Sequence, residues 1–301
     1  MKINEHFEKK DRDVSIVVVN YNTTDLLGDT LESIVATADN VNYEVMVIDN
    51  ASSDGGFSCV DDTFKQNPRF LFIQNEKNVG LSAFNTALRL AQGKYILTLD
   101  PDARLHNNTL KLLFDFMETH IKVGAATANL LNEDGSLQLY YRRTLTPSLF
   151  FFTTLFGRFI DKYLLGLRYF NYFRYIDLDT TKISELEQPP VTCLMLRREA
   201  LGEYIVDDRL AFYFMDVDIS RRLYDAGYSA YLVPKAFATH LKSMSYSRVT
   251  NAWRQRKYYE GLSVYLYKHY PYWFPLLWIL MWSDRALRVL LTRIIGREVL
   301  R

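Results

Sequence analysis

Along the first hundred residues, apolar runs of strand length alternate with segments of helical spacing. Residues 14–20, VSIVVVN, form a continuous β-branched run, the pattern of a strand buried on both faces. Residues 24–38 place Leu26, Leu27, Leu31, Ile34 and Val35 near helical spacing and predict a helix. Residues 43–49, YEVMVID, predict a second buried strand, closed by the turn-forming stretch 50–56. Residues 57–66 read as helix, 70–75 as a third strand, 82–92 as a helix closed by Gly93, and 95–100 as a fourth strand. The alternation predicts an α/β fold with right-handed crossovers and a mostly parallel sheet.

The pattern then becomes mixed. A helix is predicted over 110–120, a hairpin turn over 132–135, a strand over 191–196 and a helix over 216–226 capped by Gly227. A further strand over 228–233 leads to His240, and the chain from Ala252 onward reads as helical, aromatic and then basic. There is no internal repeat and no low-complexity linker.

In open α/β sheets, ligands bind beyond the carboxyl ends of the strands. The polar residues of the first half collect there: Asn20, Tyr21 and Asn22, then Asp49 and Asn50, then residues 75–78, then Asp100 and Asp102. Two acids separated by Pro101 at the end of a core strand suit a hard divalent cation, Mg²⁺ or Mn²⁺, which takes carboxylate oxygens together with the phosphates of a diphosphate. Arg142 and Arg143 have the bidentate geometry to neutralise a phosphate, or stand in solvent. The net charge of +1 gives no argument for a nucleic-acid partner. The cysteines, Cys59 and Cys193, lack metal-ligand spacing, and a reduced, cytosolic setting is the simplest reading. The charged N-terminus has no apolar core of a signal peptide, and the apolar run 272–282 is too short to span a bilayer.

Three stretches, VSIVVVNYNTTDLLGDTLESI, VMVIDNASSDGG and NEKNVGLSAFNTALRLAQGKYILTLDPDA, resemble the inverting, nucleotide-sugar-dependent glycosyltransferases of family 2, and within them the rhamnosyltransferase-type enzymes of O-antigen and cell-wall polysaccharide synthesis. The resemblance implies a GT-A domain over residues 1–250. Its nucleotide-sugar half would cover about 14–105 and its acceptor half 106–250, with a helical region over 251–301. It implies that Asn20, Tyr21 and Asn22 line the nucleoside pocket and that Asp49 reads the pyrimidine base, where the residue alone also suits an Asx turn. Asn78, Gly80 and Asn85 match the stretch before the acidic pair. Gly80 permits close backbone approach; Asn85 either caps or packs. Asp100 would face the donor sugar or ribose, Asp102 the metal, and His240 would complete the metal site. Asp216 matches the general base, and Met215 stands where the family carries glutamate. Asp218, two residues on, points elsewhere on a helix and suits its N-terminal dipole. The implied reaction transfers rhamnose from dTDP-rhamnose, or a hexose from UDP, to a saccharide or polyprenyl-diphosphate-linked saccharide.

Aromatics make up 15% of the chain. They gather in 150–175 and 265–301, broken by Arg and Lys, and either pack on the core or meet a membrane. Trp273, Trp278 and Trp282 with Arg285, Arg288, Arg293 and Arg297 suit an interfacial surface on the inner face of the plasma membrane. Two other readings stand beside the transferase. A nucleotidyltransferase needs a glycine-rich, basic loop after the first strand, which NYNTTD lacks, and Met215 keeps open a sugar- or lipid-binding scaffold without catalysis.

Overall fold

The computed structural model of the protein describes residues 2–3, 10–37, 41–241 and 250–295. The end of the first predicted helix, Ala38, and Arg297 lie outside them. Among the described residues, ten strands join in one mixed sheet: β1 (Lys2–Ile3), β2 (Arg12–Asn20), β3 (Tyr43–Asp49), β4 (Phe70–Gln74), β5 (Gly93–Leu99), β6 (Ala103–Leu105), β7 (Val123–Leu131), β8 (Ser184–Leu186), β9 (Cys193–Arg197) and β10 (Ser229–His240). The spatial order is β1-β4-β3-β2-β5-β9-β7-β10-β6, with β8 on β10. Strands β4, β3, β2 and β5 run parallel, whereas β9 lies antiparallel between β5 and β7.

Alternate side chains of the same strands feed two separate cores, because successive residues of a strand point to opposite faces. Val14, Ile16 and Val18 of β2 join Leu27, Leu31 and Ile34 of the Thr24–Thr37 helix and Leu110 and Leu113 of the Thr109–Thr119 helix. Val17 and Val19 instead join Phe84 and Ala87 of the Ala83–Leu90 helix and Met215, Ile219 and Leu223 of the Met215–Asp225 helix. The β-branched runs are therefore continuous because both faces of the sheet are covered.

Several boundaries differ from the sequence expectation. Residues 57–66 split into a 3-10 turn, Gly56–Cys59, and a short helix, Asp62–Gln66, because Asp61 caps the second piece through the Thr63 amide at 2.7 Å. Gly93 does not close the preceding helix, which ends at Leu90; it opens β5, where a Cβ would stand 2.4 Å from the Ser15 nitrogen of β2. The sequence pattern over 123–131 predicts no strand, yet β7 forms there and carries the second half of the sheet.

A third cluster lies outside the sheet. Leu145, Phe150, Leu210 and Val217 pack there with Tyr265, Leu266, Leu277 and Met281 of the helices Asn251–His269 and Phe274–Ile295. Among the described residues, no helix is long and apolar enough to cross a membrane.

Candidate active site

Register alone sets one row of polar side chains. Asn20 pairs with Asp49 across β2 and β3, and Asp49 with Gln74 across β3 and β4, so three polar residues sit side by side at the strand tips. The Asp49 carboxylate is buried and accepts from Asn20 Nδ2 (2.8 Å) and Ser52 Oγ (2.5 Å) on one oxygen, and from the Ser52 amide (3.0 Å) and Gln74 Nε2 (2.6 Å) on the other. A carboxylate offers about four lone-pair positions, and all are filled. Asp49 thus caps the turn over residues 49–52 through the Ser52 amide; base reading requires one internal donor to turn away. Asn22, in the left-handed region at φ 55°, accepts from the Ser53 amide at 2.7 Å, and Tyr21 is half-buried beside it.

The next strand tip meets the second half of the chain. Asn50 donates to the Gly80 carbonyl at 2.9 Å, and Asn78 accepts from the Gly80 amide at 2.8 Å. Gly80 has φ +60°, and a Cβ there would stand 2.5 Å from the Ala211 carbonyl, so only glycine lets this loop press against residues 211–212. Asn85 packs rather than caps. Its amide donates to the Val206 carbonyl at 2.7 Å and accepts from the amides of Ile205 and Val206, both at 2.9 Å, clamping the approach to the Met215–Asp225 helix.

Register also assembles the acidic corner. β10 pairs antiparallel with β6 so that His240 faces Ala103, which brings the ring beside Asp102. His240 Nε2 lies 3.7 Å from Asp100 Oδ2 and 3.5 Å from Asp102 Oδ1, and all three ligand atoms fall within 4.8 Å of one another. Gln138 fixes the imidazole. Its amide nitrogen donates to the His240 carbonyl (2.6 Å) and the Leu131 carbonyl (3.2 Å), so its oxygen accepts from Nδ1 at 3.0 Å. That bond leaves the Nε2 lone pair directed at the two carboxylates, the outer-shell arrangement typical of a metal-ligating histidine. Burial raises the Asp100 pKa, which a protonated His240 would lower and the Asp102 charge raises further. Two crowded carboxylates with one imidazole lone pair form a donor set that fits a hard or borderline divalent cation.

Residues 188–192 lead from this corner to Asp216. The Thr192 carbonyl accepts from the Asp100 amide at 2.9 Å, and Gln188 Nε2 donates to Asp216 Oδ2 at 2.8 Å. Five extended residues span at most roughly 18 Å, which bounds the backbone distance between these two contacts. Among the described residues each Asp216 oxygen accepts one hydrogen bond, Oδ2 from Gln188 and Oδ1 from the Val217 amide at 2.9 Å, which leaves each a further lone pair. Burial raises the Asp216 pKa, with Gln188, the Val217 amide and Arg142 opposing it. Met215 is buried in the apolar core, so a glutamate at this position would have no room in water. Asp218 does more than face the helix dipole: fully buried, it contacts Arg222 (3.1 Å), Lys268 (2.7 Å) and His269 (2.8 Å), tying the helix to Asn251–His269.

The two arginines part ways. Arg142 is half-buried, bridges to Gln188 and bears electrostatically on Asp216. Arg143 turns away from the cleft: its guanidinium lies between the rings of Tyr172 (3.8 Å) and Tyr175 (3.9 Å) and pairs with Asp177 at 2.8 Å. It holds the 169–178 segment and is not placed as a phosphate ligand. Gln138 and Gln188 were not singled out by sequence reasoning. For Gln188 a signal exists in the following Pro189 and Pro190, which stiffen the segment that carries it.

A model of "Glycosyl transferase family 2" matches residues 15–205. The chain belongs to glycosyltransferase family 2. This family 2 chain is 29% identical over 125 residues to the putative teichuronic acid biosynthesis glycosyltransferase TuaG of Bacillus subtilis, covering 41% of this chain and 49% of the relative. It is also 29% identical over 106 residues to the poly(ribitol-phosphate) beta-N-acetylglucosaminyltransferase TarP of Staphylococcus aureus, covering 34% and 32%. The chain spans half or less of the length of these curated relatives. Among solved structures, S. aureus TarS 1-349 in complex with UDP-GlcNAc superposes with a TM-score of 0.53 at 19% identity, covering 79% of this chain and 61% of that one. GalNAc-T7 with UDP, GalNAc and Mn²⁺ gives 0.56 at 18%, covering 78% and 44%. The likeness identifies the fold as GT-A.

Proposed function

We propose that the family 2 domain transfers a sugar, with inversion, from a nucleoside-diphosphate donor to a saccharide hydroxyl in surface polysaccharide synthesis. The single observation that carries this is the Asp100–Asp102–His240 corner joined to Asp216 through residues 188–192. Asp102 and His240, with Asp100 beside them, would hold Mg²⁺ or Mn²⁺. Such an ion supplies charge neutralisation at the departing diphosphate. Asp216 accepts the proton of the acceptor hydroxyl as its oxygen attacks the anomeric carbon opposite the phosphate. The bond from that carbon to the sugar oxygen forms as the bond to the phosphate oxygen breaks. One displacement inverts the carbon, and no nucleophilic side chain is needed. Gln188 orients the base, and Arg142 stabilises it as an anion before the proton arrives.

The donor is proposed as dTDP-rhamnose, with UDP-linked hexoses as the alternative. Thymine and uracil both present the N3–H that a strand-tip acid accepts, and two solved neighbours contain UDP or UDP-GlcNAc. A panel of nucleotide sugars is expected to raise the melting temperature in Mn²⁺ by mass action, with dTDP-rhamnose giving the largest shift. No shift with any pyrimidine nucleotide sugar overturns the transferase reading.

The domain is further proposed to rest on a membrane surface. In the Phe274–Ile295 helix, Leu277 and Met281 face the protein together with Asp284 and Arg288, while Leu276, Ile279, Leu290 and Ile294 face outward. Arg288 therefore does not meet lipid, as the sequence pattern suggested; Arg285 lies over the rings of Tyr259 and Trp282, and Arg293 is exposed. Changing Leu276, Ile279 and Leu290 to glutamate is expected to abolish co-sedimentation with phosphatidylglycerol vesicles at unchanged melting temperature. Retained co-sedimentation rules this surface out.

A further inference from the structure

The aromatic helix Asn251–His269 takes no part in the chemistry above, yet one of its faces follows the approach to Asp216. Trp253 meets Phe212 at 5.0 Å between ring centroids, and Tyr258 meets Tyr213 at 5.8 Å and Phe214 at 5.2 Å. Tyr265, fully buried, stacks on Phe214 at 5.9 Å. Between Tyr258 and Tyr265 stands Gly261, where a Cβ would lie 3.1 Å from the Tyr213 carbonyl oxygen and 3.2 Å from Phe214 Cδ2, so the helix backbone presses on this turn. Past Asp216, the same helix holds Asp218 through Lys268 and His269. Asp216 is thus bracketed by two anchors on one helix.

Phe214 is the N-cap of the Met215–Asp225 helix and sits at φ 65°, ψ 8°. A bulky side chain is unfavourable in this left-handed region, which glycine and asparagine enter far more readily. A phenyl ring cannot cap a helix amide, so the start of the helix does not explain the residue. A strained conformation persists only where its surroundings over-determine it, and the rings of Tyr258 and Tyr265 do so here. On the other side, the Ala211 carbonyl accepts from the Leu81 amide at 2.8 Å, and Gly80 lies against residues 211–212. Residues 211–214 are therefore held between the loop after β4 and the Asn251–His269 helix. The Phe214 carbonyl accepts from the Asp218 amide at 3.1 Å. The direction of this one residue therefore sets the first helical turn, and with it the line along which the Asp216 side chain leaves the backbone.

We propose that Phe214 is a positioning residue for the transfer: its left-handed turn, locked by Tyr258, Gly261 and Tyr265, aims Asp216 at the acceptor hydroxyl. The inference rests on the transfer reading, which makes Asp216 the base. The aromatic face of Asn251–His269 then serves the base as well as the core, and the turn fixes Asp216 relative to the loop after β4 and not only to its own helix.

Two readouts on the full chain test this. One is the titration of the Asp216 carboxylate by carbon NMR, assigned with Asp216→Asn; the other is kcat for hydrolysis of dTDP-rhamnose in Mn²⁺, with water in place of the acceptor. Phe214→Gly keeps the turn accessible but removes its lock, whereas Gly261→Ala sets a methyl group against Tyr213 and Phe214 while favouring the helix itself. Because a misplacement of roughly 1 Å can cost about a hundredfold, kcat is expected to fall about ten- to a hundredfold in Phe214→Gly and about three- to tenfold in Gly261→Ala. KM for the donor and UDP affinity in Mn²⁺ should stay as in the wild type. Burial raises the Asp216 pKa, so a carboxylate released toward water titrates at lower pH in both variants. Phe214→Tyr keeps the ring and is expected to match the wild type in both readouts. Either readout unmoved in Gly261→Ala reduces Phe214 to packing and overturns the proposal, and so does a Phe214→Tyr enzyme as impaired as Phe214→Gly. If Phe214→Gly fails to fold, Gly261→Ala decides; if the wild type leaves dTDP-rhamnose intact, the titration decides. Asp216→Asn separates the two readings. Hydrolysis as fast as wild type in that variant strikes the transfer reading, whereas its loss there, with Phe214→Gly and Gly261→Ala unchanged, strikes this inference alone.

Discussion

Asp216→Asn is expected to lower kcat for sugar transfer by about a hundredfold to ten-thousandfold, the usual contribution of a positioned general base. The amide keeps the size of the carboxylate and its contact with Gln188, so the KM for donor and the melting shift with nucleotide should hold. The pH profile supplies a second readout. In the proposed base role Asp216 would work only when ionised, and burial raises its pKa. Activity is therefore full at pH values above this raised pKa and is lost as pH falls through it, so the acidic limb should sit higher than a solvent carboxylate would place it. An Asp216→Asn enzyme with near wild-type kcat, or a wild-type limb at the ordinary carboxylate position, removes Asp216 from the base role.

This expectation was partly legible in the sequence, for a reason that applies to the whole donor half. Strands β2, β3, β4 and β5 announce themselves because strands covered on both faces must be apolar at every position, and β-branched runs meet that need. Their polar tips follow from register, which a reader can infer once the strands are parallel and in step. The separation of Asp216 from Asp218 was legible from helical geometry alone, but the partners Lys268 and His269 were not, since they arrive from a helix fifty residues further on. β7 escaped notice because VGAATANLL is rich in small residues rather than β-branched ones. The fold demands this: a Cβ on Gly124 would stand 2.7 Å from that of Tyr228, where β7 meets the end of the Met215–Asp225 helix. Arg143 shows a different limit. No local pattern distinguishes a phosphate-binding arginine from one held between two tyrosines, because Tyr172 and Tyr175 reach it only through the path of the intervening loop.

The acidic corner yields the other large effect. In the wild-type protein, UDP affinity is expected to rise on adding Mn²⁺ and to fall back in EDTA. Asp102→Asn should erase that difference, giving equally weak binding in both conditions, and should reduce transfer to near background. The change is nearly isosteric, so the fold at the β6–β10 junction, held by the Asp102 carbonyl and the Leu241 amide at 3.0 Å, stays in place. Gln138→Leu tests the same corner from outside it. Without the amide oxygen, His240 Nδ1 loses the acceptor that Gln138 supplies, and the tautomer that presents Nε2–H toward the carboxylates instead of a lone pair is favoured. Loss of such an outer-shell partner typically weakens metal affinity by about 10–100-fold. The activity of Gln138→Leu should accordingly recover at high Mn²⁺, whereas that of Asp102→Asn should not. A Mn²⁺ dependence of UDP binding that survives Asp102→Asn would move the cation away from this corner and leave its two carboxylates without a chemical reason for being so close.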